Sequence, residues 1–93
     1  VVLKAPVDIV SNGTKTKFNF TGNPGMATGG TGDILSGAIG GFASTNDLFD
    51  SSLAATFVTG LAGDMVQKEK GHYFTSTDVL GKLSEAIRWA EEF

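Results

Sequence analysis

Apolar and polar positions alternate over the first twenty residues in a way that predicts short β-strands. Residues 1–4 are mostly apolar and β-branched, which is typical of a strand. Residues 7–10 form a second apolar run after Pro6, and residues 15–20 alternate between polar and apolar side chains. The Ser-Asn-Gly sequence at 11–13 joins the last two runs, and its Asn-Gly pair favours a tight hairpin turn.

The first strand raises a question about the extent of the domain. Val1, Val2 and Leu3 form a continuous apolar run, as expected of a strand buried on both faces of a parallel sheet. The sequence contains too few other strands to flank it, and it opens without a Met or a polar lead-in. We therefore expect residues 1–93 to be the C-terminal portion of a larger domain, with the N-terminal portion missing or on a companion chain.

The apolar spacing becomes helical later in the chain and predicts three helices. The first covers 34–43 and is apolar on most sides, so we expect it to be buried. The second begins at Ser51 or Ser52, after a polar loop, and runs to about residue 70. The third covers about 78–92 and is capped by the hydroxyl and carboxylate oxygens of residues 75–78. The side chains expected to face the core are Leu53, Phe57, Leu61 and Met65 in the second helix and Val79, Leu80, Leu83, Ile87 and Ala90 in the third.

Residues 21–33 are predicted to be a loop between the last strand and the first helix, and they include the sequence NPGMATGGTGD. We call residues 23–32 the glycine loop. A helix N-terminus carries unpaired N–H groups and a partial positive charge, and glycine lets a ligand approach them closely. Strand, glycine loop and helix together predict an anion site, with phosphate as the usual ligand. The alternative is structural: Asp33 is only a helix N-cap, and the glycines only permit close packing.

Composition excludes several classes of protein. The 93 residues carry a net charge of −3 and a pI of about 4.8, which argues against a nucleic-acid surface. The sequence has no polybasic cluster or basic amphipathic helix that would indicate a membrane surface. There are no cysteines, so disulfides and thiolate metal sites are excluded. No apolar stretch is long enough to span a bilayer. A cytoplasmic setting is the expectation.

General phosphate motifs do not match the glycine loop. A Walker A loop needs Gly-Lys-Ser/Thr, but Asp33 follows Thr31 and Gly32. The dinucleotide fingerprint requires glycine where Leu35 stands. A carboxylate beside phosphate repels it unless a cation, a proton or a chemical role compensates. A base that activates a hydroxyl for attack on phosphorus would occupy this place.

The sequence GNPGMATGGTGDILSG resembles the signature of the ADP- or ATP-dependent NAD(P)H-hydrate dehydratases, of the ribokinase-like superfamily. VVLKAPVDIV and TGLAGDMVQKEKGHYFTSTDVL resemble two further family segments. The resemblance covers nearly the whole chain but only about the last third of a family domain. It implies an α/β, ribokinase-like three-layer fold, present as its C-terminal part: strands, the glycine loop, then three helices. The chain departs from the family at Ala5, where Gly is usual, at Asp8, where Thr is common, and at Thr59, where His is frequent.

The resemblance also implies roles for individual residues. Asp33 contacts the hydrated nicotinamide substrate and is the catalytic base. The nucleotide-binding residues it implies are Lys4, Ala5, Pro6, Val7 and Asp8, with Asn23, Pro24, Gly25, Met26, Ala27, Thr28, Gly29, Gly30, Thr31 and Gly32. No metal ligand is assigned, although Mg²⁺ is expected to accompany the nucleotide.

The implied function is a lyase that dehydrates hydrated NADH or NADPH at the expense of ADP or ATP. A homo-oligomer, or a companion chain carrying the rest of the domain, is the expected assembly. One alternative is a ribokinase-like small-molecule kinase. The other is a non-catalytic nucleotide-binding or assembly segment.

Four other residues have simpler interpretations. His72, the one histidine, is predicted to lie in an exposed loop. Asp64 is predicted to have a structural role, because Gly60 and Gly63 indicate close helix packing there. Trp89 and Phe93 are predicted to cover the core or a subunit contact.

Overall fold

The computed structural model describes residues 1–92, so Phe93 lies outside the described residues. The chain begins with three antiparallel strands in the order β1-β2-β3: Val2–Leu3, Asp8–Ser11 and Thr16–Asn19. The predicted Asn-Gly turn joins β2 to β3. Asn12 Oδ1 accepts hydrogen bonds from the backbone N–H groups of Thr14 (3.0 Å) and Lys15 (2.8 Å), and Gly13 takes a positive φ of 95°.

The prediction that the first strand is buried in a parallel sheet is wrong for the described chain. β1 pairs only with β2, and the pairing is antiparallel. Val1 is 92% exposed and Leu3 56% exposed. Leu3 is opposite Ile9, and Ile9 is opposite Phe18. These three residues therefore share one face of the sheet, which we call the outer sheet face.

The opposite face of the sheet packs against the helices. Asp8 and Val10 alternate with Ile9 along β2, and both are buried. Asn19, at the end of β3, is also buried and donates a hydrogen bond to the backbone carbonyl of Thr56 in the second helix (3.4 Å). The sheet thus has one face in the core and one face that no described residue covers.

Three helices follow the loop, in the predicted order: α1 (Thr31–Ala43), α2 (Leu48–Lys70) and α3 (Ser76–Glu91). Each begins before its predicted start. α1 begins at Thr31 because Gly30 takes the N-cap position, and α2 begins at Leu48 because the Asp47 carboxylate accepts a hydrogen bond from the Asp50 N–H (3.1 Å). Capping by a side-chain oxygen thus fixes the start of α2 earlier than its apolar pattern indicated.

Thr75 caps α3 in a reciprocal arrangement with Asp78. The Asp78 N–H donates to Thr75 Oγ1 (3.3 Å), and the Thr75 N–H donates to Asp78 Oδ2 (3.0 Å). The hydrogen bond from the Thr75 backbone, together with the Lys70 ammonium, holds the pKa of the Asp78 carboxyl below its ordinary value. The ionised Asp78 carboxylate therefore stabilises the fold. This stabilisation is complete above the pKa that Asp78 has in the unfolded chain, and it is lost as the pH falls through the lowered pKa of the folded state.

The core lies between α2, α3 and the connection that joins them. The buried apolar cluster consists of Val58, Ala62, Val66, Phe74, Val79 and Ala86. In α2, the predicted residues Phe57, Leu61 and Met65 pack against this cluster but are only partly buried. The buried cluster residues of α2 lie one residue further along, at Val58, Ala62 and Val66. In α3, the inward orientation predicted for Leu80 is wrong, since its side chain is 57% exposed.

The prediction that α1 is buried on most sides is also wrong. Leu35 is its only buried residue, while Ile34 and Phe42 pack at the margin of the core. α1 contacts α2 along one side and α3 only slightly, so its glycine-rich outer side has no neighbour among the described residues. None of the helices described for residues 1–92 has the length and apolar character needed to cross a membrane.

The outer sheet face leads to a prediction about the 93-residue polypeptide. Because Leu3, Ile9 and Phe18 form an apolar row with Phe18 58% exposed, we expect the polypeptide to self-associate or fold poorly on its own. Phe18→Ser should reduce association measured by sedimentation velocity, and Lys17→Ser on the same strand should not. A monomeric, cooperative thermal transition of the unsubstituted polypeptide would contradict this.

Candidate functional site

The glycine loop and the residues that lead into it rest directly on helix α2. Gly60 and Gly63 leave no side chains at the contact. A β-carbon at Gly60 would lie 2.8 Å from the backbone carbon and oxygen of Thr21, and one at Gly63 would lie 2.8 Å from Met26 Cγ. Real β-carbons essentially never approach other atoms so closely. At Gly60 the clash would be with the backbone, so the absence of a side chain there fixes how closely the loop can approach α2, whereas at Gly63 the clash would be with the flexible Met26 side chain.

Asp64 directly follows Gly63 in α2 and binds the start of the loop. Its Oδ2 accepts a hydrogen bond from the Gly22 N–H (3.0 Å), and its Oδ1 accepts one from Asn23 Nδ2 (2.9 Å). The structural role predicted for Asp64 is therefore observed. The sequence did not indicate its partner, because Asp64 lies about forty residues away from the loop in the chain.

Asn23, which is held by Asp64, also caps the turn that follows it. Its Oδ1 accepts a hydrogen bond from the Gly25 N–H (3.0 Å) and caps a short 3₁₀ turn, Pro24–Met26. Gly25 faces the connection between α2 and α3, where an added β-carbon would lie 2.9 Å from the His72 carbonyl oxygen and would also strike the Phe74 ring. The loop is thus held on a second side by residues that the sequence analysis did not include in the site.

Helix α1 begins without a side-chain cap. Gly30 takes the N-cap position with φ of +99°, and no side chain accepts a hydrogen bond there. Thr31 Oγ1 donates to the carbonyl oxygens of Met26 (3.1 Å) and Thr28 (3.3 Å), which ties the first residue of the helix back to the loop. Gly29, Gly30 and Gly32 are exposed. The first turn therefore presents uncapped N–H groups and the positive end of the helix dipole to solvent.

Asp33 is the third residue of α1, and its side chain is exposed. Since Gly30 is the N-cap, the alternative that Asp33 is a plain cap does not describe this structure. Among residues 1–92, no side chain forms a hydrogen bond or an ion pair with the Asp33 carboxylate. Asp33 is thus a carboxylate without a structural partner in the described chain, beside the helix N-terminus.

The predicted segment 4–8 reaches the site through buried polar contacts. Asp8 is 2% exposed, and its oxygens accept hydrogen bonds from the Ala5 N–H (3.2 Å), Asn19 Nδ2 (3.0 Å) and Lys4 Nζ (3.4 Å). Asn19 Nδ2 also donates to Thr21 Oγ1 (3.0 Å). These contacts join the segment to the residues that lead into the glycine loop. Within the segment, the Asp8 carboxylate faces the protein interior, while residues 5–7 are exposed.

The other residues singled out from the sequence have clear positions. His72 is exposed in the connection between α2 and α3, as predicted. Trp89 lies near the end of α3 and is 42% exposed. Within residues 1–92, no group of three or more His, Asp or Glu side chains is arranged to hold a metal ion.

The described chain does not enclose the glycine loop. Two cavities, of about 230 and 360 Å³, are lined by residues of α2 and α3 and by residues of β2 and the start of α2. Neither is lined by residues 21–33. The exposure of Gly29, Gly30, Gly32 and Asp33 leaves the uncapped end of α1 open to solvent.

Comparison with known proteins identifies the family to which the chain belongs. The family model described as NAD(P)H-hydrate dehydratase (Carb_kinase) matches residues 1–85. The chain belongs to this family, as the resemblance of its glycine loop indicated.

Curated relatives agree over almost the whole chain. The bifunctional NAD(P)H-hydrate repair enzymes Nnr of Methanocaldococcus jannaschii and Archaeoglobus fulgidus are 42% and 40% identical, over 95% and 100% of this chain and 18% and 20% of their own lengths. The ADP-dependent (S)-NAD(P)H-hydrate dehydratase of Nitrosopumilus maritimus is 44% identical over 95% of this chain and 31% of its own length. The chain thus spans between about a fifth and a third of the curated relatives it matches.

The glycines of the loop differ in a way that substitution can test. Any other residue at position 30 would be held in a left-handed backbone conformation, and its β-carbon would lie 2.9 Å from Ser76 Cβ. Gly30→Val should lower the free energy of unfolding of the full-length protein by at least about 1–2 kcal/mol. Gly29 has no positive φ and open space around it, so Gly29→Val should change the free energy by no more than about 0.5 kcal/mol. Chemical denaturation measures both, and equal losses would contradict the observed geometry.

Proposed function

We propose that the glycine loop and the N-terminus of α1 bind the terminal phosphates of ADP in an enzyme that dehydrates hydrated NADH or NADPH. The observation that carries the proposal is the uncapped first turn of α1, which contains exposed Gly32 and the exposed carboxylate of Asp33, with exposed Gly29 just before it. Backbone N–H groups at a helix N-terminus favour an anion. Family membership indicates which anion to test.

The nucleotide is assigned from the relatives. Two of them, from Nitrosopumilus maritimus and Cenarchaeum symbiosum, are named ADP-dependent (S)-NAD(P)H-hydrate dehydratase. They are 44% and 37% identical to this chain. We therefore choose ADP over ATP as the phosphoryl donor.

Asp33 is proposed as the general base. Its carboxylate takes the proton of the ring hydroxyl of the hydrated nicotinamide, and the hydroxyl oxygen attacks the terminal phosphorus of ADP. The new P–O bond replaces the bond to AMP, which leaves. Loss of inorganic phosphate and a ring proton from the phosphorylated intermediate then restores the ring double bond. Once protonated, Asp33 no longer repels the phosphates beside it.

The N–H groups of the glycine loop supply the electrostatic part of the mechanism. Charge builds on the non-bridging oxygens of the phosphoryl group during transfer, and fixed donors stabilise this charge without reorganising. The hydrogen bonds of Asn23 and Thr31 hold the loop in place before the ligand arrives. Residues 4–8 are proposed as a second nucleotide contact through exposed Ala5, Pro6 and Val7. The buried Asp8 carboxylate holds this segment by accepting a hydrogen bond from the Ala5 N–H.

The described residues do not form a set of side chains that could coordinate Mg²⁺ by themselves. Residues 1–92 offer no cluster of three acidic or imidazole ligands, and Mg²⁺ is commonly held by phosphate oxygens, water and one or two carboxylates. No step is assigned to the ion. The rest of the substrate pocket, a ribokinase-like three-layer fold around it, the homo-oligomer or companion segment, and a cytoplasmic setting all stay predictions.

Nucleotide binding is tested by placing a side chain at an open position of the loop. Gly29→Val should weaken ADP binding by about 1–3 kcal/mol, because the added side chain keeps the phosphates away from the N–H groups. Gly37→Val is the matched control, since this glycine is also exposed with open space around it but lies farther along α1. Titration calorimetry on the full-length protein gives both affinities. An unchanged affinity in Gly29→Val would remove the loop from the site.

The role of Asp33 is tested against a carboxylate in an equivalent position. Asp33 and Asp50 are each the third residue of a helix, and both are exposed. Asp33→Asn should lower turnover about 10²–10⁴-fold, whereas Asp50→Asn should leave it unchanged. Both substitutions remove the same favourable contact with a helix dipole, about 0.3–1 kcal/mol.

The assay follows the return of reduced-nicotinamide absorbance in the presence of ADP. Near wild-type turnover in Asp33→Asn would refute the mechanism. A stable phosphate ester as the final product of the wild-type protein would instead indicate a small-molecule kinase.

A further inference from the structure

Asp64, in the C-terminal half of α2, has no role in the mechanism above, yet it is bound to the start of the glycine loop. No lysine, arginine or histidine among residues 1–92 forms an ion pair with it. Its two oxygens instead accept hydrogen bonds from the Gly22 N–H and from Asn23 Nδ2. A partly buried carboxylate satisfied by loop donors orients those donors, and charge-assisted hydrogen bonds are the stronger kind.

The contacts of Asp64 continue to the end of α1 through a short series of hydrogen bonds. Because Asn23 Nδ2 is bound to Asp64, Asn23 Oδ1 points to the Gly25 N–H. Gly25 lies in the 3₁₀ turn that ends at Met26. The Met26 carbonyl then accepts a hydrogen bond from Thr31 Oγ1, at the first position of α1.

We propose that Asp64 is the positioning residue of the phosphate site: its carboxylate fixes the side-chain amide of Asn23 and thereby holds the N–H groups of residues 29–32 in register for the ligand. Gly60 and Gly63 bring the loop close enough to α2 for this short side chain to reach two donors at once. The inference rests on the proposed function for the identity of the ligand, but the hydrogen bonds themselves do not depend on it.

The donors and acceptors of this contact allow an exchange test. In Asp64→Asn, the carboxamide has one acceptor oxygen and one NH₂ group, so one loop donor faces another donor. In Asn23→Asp, two carboxylates face each other, and like charges repel. In the double variant Asp64→Asn/Asn23→Asp, the carboxamide at position 64 accepts from the Gly22 N–H and donates to the carboxylate at position 23. That carboxylate still accepts from the Gly25 N–H, so every hydrogen bond is restored.

The experiment measures steady-state kinetics of the full-length protein with varied ADP. Each single variant should raise the KM for ADP about tenfold and should also lower kcat, because the displaced N–H groups stabilise the transition state. The double variant should recover part of this loss. Asp50→Asn, which removes an exposed charge from the same helix, should change neither constant. A purely structural role would instead lower the thermal midpoint and the active fraction, leaving the KM unchanged. That result, or amide hydrogen exchange at Gly22 and Gly25 that stays fast in the double variant, would overturn the proposal.

An error in the proposed nucleotide can be distinguished from an error in the role of Asp64. If the wild-type protein neither binds nor uses ADP, the assignment of the nucleotide is wrong whatever the variants do. Amide hydrogen exchange at Gly22 and Gly25 then decides the role of Asp64. Faster exchange in each single variant, with recovery in the double variant, supports positioning of the loop by Asp64. Unchanged exchange overturns it.

Discussion

The direct packing of the glycine loop on helix α2 is the constraint on which the candidate site depends. Gly60 and Gly63 remove the side chains that would otherwise separate the two segments. Asp64 can then reach the loop and bind it at two points. Without that approach, the residues that begin α1 would have only local contacts within the loop, and loop amides held only locally pay an ordering cost when a ligand binds.

The polar network below the sheet extends the same restraint to the other predicted nucleotide segment. Asp8 and Asn19 are buried, and both are hydrogen-bonded, as buried polar groups need to be. Thr21 Oγ1 donates to the Phe57 carbonyl of α2 (2.9 Å), directly before the residues that Asp64 binds. Strands, loop and helix are therefore joined by one connected set of hydrogen bonds. The groups that are free to contact a ligand are the exposed residues 5–7 and the exposed glycines at 29, 30 and 32.

The sequence predicted the local elements well and their surroundings poorly. The hairpin turn at Gly13, the order of strands, loop and helices, and the exposed position of His72 follow from short-range chemistry that a sequence displays directly. The burial of Leu3 and Leu80 and of most of α1 was wrong, because burial depends on what packs against an element, and these segments have open faces in the described chain. The contact between Asp64 and Asn23 was not predicted either. A pairing about forty residues apart has no periodic signal, although the glycines beside Asp64 did indicate a close approach of some kind.

The proposed function depends on binding of the ADP phosphates by the uncapped N–H groups at the start of α1. The most direct measurement is an amide NMR titration of the full-length protein with ADP. We expect saturable shifts centred on Gly29, Gly30, Thr31 and Gly32, with Gly37 and Gly40 of the same helix much less affected. Saturable binding of ADP that leaves the amides of residues 29–32 unshifted would contradict the proposed function.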